Sequence, residues 1–252
     1  MKIIFLGTTG SYISKTRTYP SILINDDLLL DCGEGTTQKL LILEVINTIN
    51  TICITHLHND HFMGIFSLLW YYWINQRKKP ITIIGPSKIE STVNTILKLA
   101  NTPEDMKSCE IKFIELHNSN EKIQLDVDYR VICKKMVHKT LTFGYKIVEN
   151  HKSVCYSGDM KPNENITALA NNCDLLICEA TFPDKMASVA HNLYHSTPRD
   201  AAEIASKANA KSLALIHISP MFSKLIQKFK KQAEKNFKGN VIIPNDLEVF
   251  HI

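Results

Sequence analysis

Short apolar runs rich in β-branched residues alternate with stretches of helical periodicity along almost the whole chain, and this alternation limits the possible folds more than any other feature. In the first third, KIIFLG, SILIN, LLLDCG, NTICITH and ITIIG read as strands. Helices are expected from about Thr36 to Ile46, from His61 through LLWYYWI, and over Ser87–Ala100, where Ile89, Val93, Ile96 and Leu97 form an apolar stripe. A block of strands follows: CEIKFIEL, KIQL, DYRVICKKMVH, TFGYKIV and KSVCYSGD. The last third alternates again, with strand LLICEA, a helix from Pro198 to about Ala208, strand SLALIHI, a basic helix near Phe222–Phe237, and a final strand DLEVFHI. No repeat, low-complexity tract or Pro/Gly/Ser-rich linker interrupts the pattern. The expectation is a single domain over residues 1–252 of the α/β class, two mixed sheets covered by helices, rather than one doubly wound sheet.

Composition excludes several classes. With 252 residues, 44% of them hydrophobic and 21% charged, the chain is long and apolar enough for a substantial core, which rules out a disordered, collagen-like or disulfide-stapled protein. No apolar stretch has the 18 or so residues of a membrane span, and Gly7 breaks the first apolar run before it could serve as a signal-peptide core. The seven cysteines are odd in number, form no CxxC pair and lie largely within apolar runs, which points to a reducing, cytoplasmic location. A formal charge of +4 is compatible with a nucleic-acid partner and equally with an ordinary basic surface.

The chemistry is concentrated in Thr55-His56-Leu57-His58-Asn59-Asp60-His61. This segment follows an apolar strand and precedes a helix, so a rigid scaffold presents it at a strand end. His56 and His58 can converge on one cation, while Asp60 and His61 face a second position nearby. Imidazole combined with carboxylate suits zinc, manganese or iron. Two cations need more ligands than one loop supplies, and other strand ends offer them: His138 after RVICKKMV, Asp159 after KSVCYSG, and His217 in SLALIHI. Taken singly, these have plain structural readings, a turn aspartate or a satisfied core histidine.

Taken together, these segments resemble the metallo-β-lactamase superfamily, and within it the ribonuclease Z branch of tRNA 3′-processing endonucleases. The resemblance spans Leu6 to about Phe222. It rests on GTTGSY with KTR at Lys15–Arg17, DCGEGT, THLHNDH with Gly64, Gly85-Pro86, His138 with Gly144-Tyr145, SGD at Ser157–Asp159, EATF at Glu179–Phe182, HST at His195–Thr197, and HIS at His217–Ser219. It implies an αββα sandwich with two divalent metal ions, zinc in the first instance and manganese or iron as alternatives. His56, His58 and His138 would bind one ion, Asp60, His61 and His217 the other, and Asp159 both. Such a pair suits phosphodiester hydrolysis by metal-bound hydroxide, because two cations stabilise both the attacking and the leaving oxygen. Asp60 would orient the water or act as general base, His195 would protonate the leaving oxygen, and Glu179 would support His195 or form a structural salt bridge.

The chain also departs from the family. Ile13 and Thr18 stand where Pro and Asn are usual, Met160 replaces Thr after the bridging aspartate, and Pro220-Met221-Phe222 replaces an Arg-Tyr ending. Family enzymes carry a basic tRNA-gripping arm between the equivalents of His138 and Asp159, whereas only 20 residues separate the two here. Other basic clusters are Arg77-Lys78-Lys79, Lys134-Lys135 and the lysines between Lys224 and Lys238. Ile226, Phe229, Ala233 and Phe237 give that last segment the stripe of a packed surface helix. The expected activity is therefore a dinuclear phosphodiesterase, with precursor tRNA as one substrate. The alternative is a small-molecule hydrolase of the same fold, such as a cyclic-nucleotide phosphodiesterase or a lactonase. Nearby Lys15 or Arg17 would meet the phosphate, and a homodimer is expected from the family.

Overall fold

The computed structural model describes all residues except 119–120 and 126–128. One sheet contains β1 (Lys2–Gly7), β2 (Ser21–Ile24), β3 (Leu28–Leu30), β4 (Thr51–Cys53), β5 (Ile81–Pro86) and β6 (Ile111–Leu116). The other begins with β7 (Glu121–Gln124), β8 (Tyr129–Met136), β9 (Thr142–Glu149) and β10 (Lys152–Tyr156) and continues through β11 (Leu175–Glu179), β12 (Ser212–Ile216) and β13 (Asn240–Ile242). A last strand, β14 (Glu248–His251), returns to the edge of the first sheet beside β1. The orders are β14-β1-β2-β3-β4-β5-β6 and β13-β12-β11-β10-β9-β8-β7. Both sheets are mixed: β3 to β6 run parallel, as do β10 to β13, and the other neighbours are antiparallel.

Side-chain alternation builds four layers. On β1, Ile3 and Phe5 turn towards the second sheet and join Tyr145, Ile177 and Ala214 in the central core. Ile4 and Leu6 point the other way, into a core closed by α1 (Thr36–Ile42), α3 (Gly64–Ile74) and α4 (Ile89–Leu99). A short α2 (Asn59–Phe62) lies within the His-rich segment. The outer face of the second sheet packs against α5 (Glu164–Leu169), α7 (Pro198–Lys207) and α8 (Ile226–Glu234), and α6 (Ala187–Asn192) leads into His195. This is the expected sandwich of two sheets covered by helices.

Several elements differ from the sequence expectation. The helix expected from His61 divides at Met63 into α2 and α3, and α1 stops at Ile42, four residues early. Neither α5, α6 nor β13 was anticipated. Helix α5 is too short for its period to show, and is started by the Asn163 side chain accepting from the N–H groups of Asn165 and Ile166. Strand β13 owes its pairing to β12, three residues in parallel. The strand expected from Asp128 begins outside the described residues, and its described part, β8, ends at Met136.

Topology positions the site. The parallel strands β3 and β4 of one sheet, and β10, β11 and β12 of the other, all deliver their carboxyl ends to one rim of the sandwich. Asp31, Thr55–His61, Asp159, Glu179–Thr181 and His217 follow these strands directly. No helix among the described residues is long and apolar enough to cross a membrane.

Candidate metal centre

The turn after β4 places His56 and His61 in the interior, with no exposed surface, and leaves His58 and Asp60 partly open. Gly64, at the start of α3, lets the helix approach the backbone after β3, where a Cβ would stand 2.2 Å from the Gly33 carbonyl oxygen. His138 arrives from the end of β8, Asp159 from β10 and His217 from β12. Two clusters result: His56, His58, His138 and Asp159, and beside it Asp60, His61 and His217, to which Asp159 turns its other oxygen.

The spacing of the donor atoms is informative. His58 Nδ1 and His138 Nε2 are 3.4 Å apart, and Asp159 Oδ2 lies 3.9 Å from His56 Nε2. In the other cluster, His61 Nε2 and His217 Nε2 are 3.4 Å apart. Asp60 Oδ2 is 3.4 Å from His217 Nε2, and Asp159 Oδ1 is 3.4 Å from His61 Nε2 and 3.3 Å from His217 Nε2. Corners of a tetrahedron with bonds of about 2.1 Å lie about 3.4 Å apart, so these separations suit donors sharing a cation. His56 Nε2 and Asp159 Oδ1 are buried without a hydrogen-bond partner, which an interior tolerates poorly unless a cation completes them. The donor set and these orphaned atoms fit divalent metal.

Partners on the far side of each ring select the tautomer. His61 faces Asp31 Oδ2 with Nδ1 at 2.7 Å, and His138 faces the Tyr194 carbonyl with Nδ1 at 3.0 Å; both partners accept only, so both Nδ1 atoms carry the proton. The Thr55 hydroxyl donates to Asp31 and so accepts from His56 Nδ1 at 3.0 Å. The Thr181 hydroxyl donates to Glu179 and so accepts from His217 Nδ1 at 2.8 Å. All four rings thus present an Nε2 lone pair to the centre, the arrangement that outer partners impose on metal-binding histidines.

Electrostatics divide the two clusters. Burial and neighbouring imidazoles push His56 well below the usual imidazole range, and burial and His138 lower His58. Burial likewise lowers His138. These three are neutral, as ligands must be. For His61 burial also opposes charge, but Asp159 and Asp31 outweigh it and raise the group well above its usual range. A proton and a cation there compete for the same nitrogen. Despite burial, Asp159 is held far below the carboxylate range by His217 and His61, and Asp60 is likewise lowered by His217 and His61.

Beside the clusters, His195 Nδ1 donates to Glu179 Oε1 at 3.0 Å and lies 3.9 Å from Asp159 Oδ2. Burial opposes its charge, but Glu179 prevails and raises the imidazole to about 9. Glu179 is also structural: it accepts from the Met160, Thr181 and Ser196 N–H groups and from the Thr181 hydroxyl. It thus meets His195 as expected, and its structural contacts are hydrogen bonds rather than a salt bridge.

Two arginines are committed inside the protein. Of the expected pair Lys15 or Arg17, Arg17 donates its guanidinium to Thr8 Oγ1, the Pro244 carbonyl and Asn245 Oδ1, which leaves Lys15 as the candidate. Arg77 is no part of a surface patch, being buried with donors on the Asn47, Ile49 and Lys79 carbonyls and its guanidinium 4.3 Å above the Tyr72 ring. The sequence reading gave no role to Asp31, Thr55 or Thr181. Asp31 sits in DCGEGT at a strand end, which is a signal, and its backbone adopts φ 59°, uncommon for any residue but glycine.

Known proteins resemble this chain in sequence and in fold. The profile of the β-lactamase superfamily domain matches residues 27–218. The chain is 28% identical to a ribonuclease Z of Archaeoglobus fulgidus over 295 aligned positions, covering 96% of this chain and 94% of that one. It is 29% identical to a ribonuclease Z of Saccharolobus solfataricus over 296 positions, covering 100% and 99%. That alignment has 296 positions against 252 residues here, so at least 44 positions of the relative face a gap. Among solved structures, human tRNase Z, short form, superposes with a TM-score of 0.83 at 28% identity, covering 100% of this chain and 99% of the other.

Proposed function

The chain belongs to the β-lactamase superfamily and is a metal-dependent phosphodiesterase similar to ribonuclease Z, and we propose that it works through two zinc ions held by the seven clustered residues. His56, His58 and His138 would hold one ion, Asp60, His61 and His217 the other, and Asp159, between the clusters, would serve both. The observation that carries this reading is the set of donor separations of 3.3–3.4 Å around Asp159 Oδ1, which is buried and otherwise unpartnered. Manganese or iron would suit the same donors.

When bound, the ions supply Lewis acidity and lower the pKa of water so that a nucleophile exists at neutral pH. The remaining chemistry belongs to side chains. Asp60, ionised throughout the working range, accepts a hydrogen bond from the attacking water and orients it. His195, at about 9, carries its proton at neutral pH; with Nδ1 tied to Glu179, it delivers a proton from Nε2 to the leaving ribose oxygen. Glu179 cannot swing away, because its backbone donors hold it in place.

The substrate we propose is an RNA phosphodiester, with the 3′ end of precursor tRNA in first place. The segment between His138 and Asp159 tempers that choice. β9 and β10 meet at Asn150-His151 and form a plain hairpin, with no element extending from it as a gripping arm. A smaller phosphodiester is the second reading, favoured by that hairpin. Salt dependence separates the two, because tRNA held by surface lysines loses affinity steeply with salt whereas a small ester does not. Cleavage of precursor tRNA that survives physiological salt supports the first reading, and salt-insensitive cleavage of small esters alone supports the second.

We assign the expected homodimer to the outer face of α1 and α3, where Leu41, Ile42, Trp70 and Ile74 are exposed on neighbouring helices. The occupant is a second copy, and Trp70→Glu should shift the sedimentation of the protein to that of a monomer. The seven cysteines, all free and buried, support the cytoplasm as its compartment.

A further inference from the structure

His217 is the most awkwardly held of the clustered residues. Its backbone lies in the left-handed region at φ 58°, which is unfavourable for an ordinary residue and persists only where surroundings enforce it. The enforcing segment is Thr8-Thr9-Gly10. The Thr8 carbonyl accepts from the His217 N–H at 2.8 Å, and the Thr9 hydroxyl donates to the Ile218 carbonyl at 3.0 Å. Gly10 lies flat against the imidazole, where a Cβ would stand 2.2 Å from the ring. The next residue, Ser11, donates its N–H to Asp60 Oδ2 at 3.3 Å. One short segment thus touches two members of the second cluster and none of the first.

What holds that segment is remote in sequence. Asp246, with a side chain 6% exposed, accepts from the Thr8 hydroxyl at 2.7 Å, from the Thr18 N–H at 2.7 Å and from the Thr18 hydroxyl at 3.1 Å. Lys39 from α1 neutralises the carboxylate and also donates to the Leu6 carbonyl. Arg17 closes the ring from the other side, joining Thr8 to Pro244 and Asn245. The Thr8 and Thr9 N–H groups both bond the Thr18 carbonyl at 3.1 Å, so the two ends of the loop move together.

The geometry points to Asp246 as a positioning residue: through Thr8 and Thr18 it holds the 8–18 loop against His217 and Asp60, and so shapes the second cation position without touching it. This rests on the two-metal reading above and extends it to a residue on the connection before β14. Its consequence is selective, since Asp246 reaches the Asp60–His61–His217 cluster and not His56, His58 or His138.

The test is Zn2+ titration of metal-stripped, full-length protein against a chelating indicator, with cooperative thermal unfolding of the stripped protein measured in parallel. The unsubstituted chain should take up two equivalents; fewer would overturn the two-metal reading itself. Asp246→Asn keeps the shape but loses the charge, and should weaken one equivalent by about tenfold or more while leaving the other unchanged, within the range that supporting partners give metal sites. Thr8→Val, which removes the hydroxyl that donates to Asp246 and accepts from Arg17, should act in the same direction, and serves alone should Asp246→Asn fail to unfold cooperatively. Thr8→Ser should restore the unsubstituted affinity. Two equivalents of unchanged affinity in the folded variants, or equal weakening of both, would overturn the positioning role.

Discussion

The two halves of the centre bind by different means. The half made by His56, His58 and His138 is a cage of neutral imidazoles, lowered by burial and by each other, with a hydroxyl and a carbonyl behind two of the rings. The half made by Asp60, His61 and His217 is charged: Asp60 is a carboxylate donor, and Asp31 stands behind His61 within 2.7 Å. Each half joins two residues of the Thr55–His61 turn to one histidine from the second sheet, but only the second also leans on the 8–18 loop, which Asp246 holds. The contrast teaches that the halves differ in what supports their donors rather than in where the donors come from. The halves should therefore respond differently to substitution outside the ligands.

Asp159→Ala is the severest way to break the distinction, because it removes the only carboxylate shared by both halves. Both metal equivalents should weaken together and activity should fall by at least ~10⁴-fold, as when a member of a concerted unit is lost; elemental analysis beside single-turnover kinetics reads both. Retention of one tight equivalent would show that Asp159 serves one half only.

His195→Ala should leave metal content untouched and slow cleavage of an RNA ester by roughly 10²–10⁴-fold, while an ester with a nitrophenolate leaving group, which needs little protonation, should lose far less. Equal losses would make His195 a binding residue. Asp31→Asn should weaken Zn2+ binding in the second half by about 10–100-fold and in the first half less, since Asp31 meets His61 directly but His56 only through the Thr55 hydroxyl. Titration with the indicator used for Asp246 resolves the two steps, and uniform weakening would erase the contrast.

The smallest effect is expected from Arg77→Ala. It removes donors from three carbonyls far from either half and should lower stability by about 2–4 kcal/mol in urea unfolding, with tRNA affinity and metal content unchanged. A loss of tRNA affinity would restore Arg77 to the basic surface from which its burial removes it.

Four of the seven clustered residues were legible because they are written contiguously. His56 and His58 are two residues apart, behind an apolar strand whose end must lie at the rim, and Asp60 and His61 share that turn. His138, Asp159 and His217 each close an apolar run, so the strand pattern alone puts them at strand ends. The commitments of Arg17 and Arg77 stayed out of sight because a charge in a sequence reads as surface, and only packing reveals the carbonyls that hold these guanidiniums.

What stayed hidden is what acts across distance along the chain. Asp31 meets Tyr156 125 residues away, Thr181 meets His217 36 residues away, and Asp246 meets Thr8 238 residues away. Periodicity and strand-end position are local properties, so they marked which residues reach the rim and what donors they bring. The protonated nitrogen on the rings and the seat of His217 depend on which side chains the two sheets press together. These were decided only once the sheets had packed, because hydrogen bonds and buried charges respond to separation in space over a few ångströms.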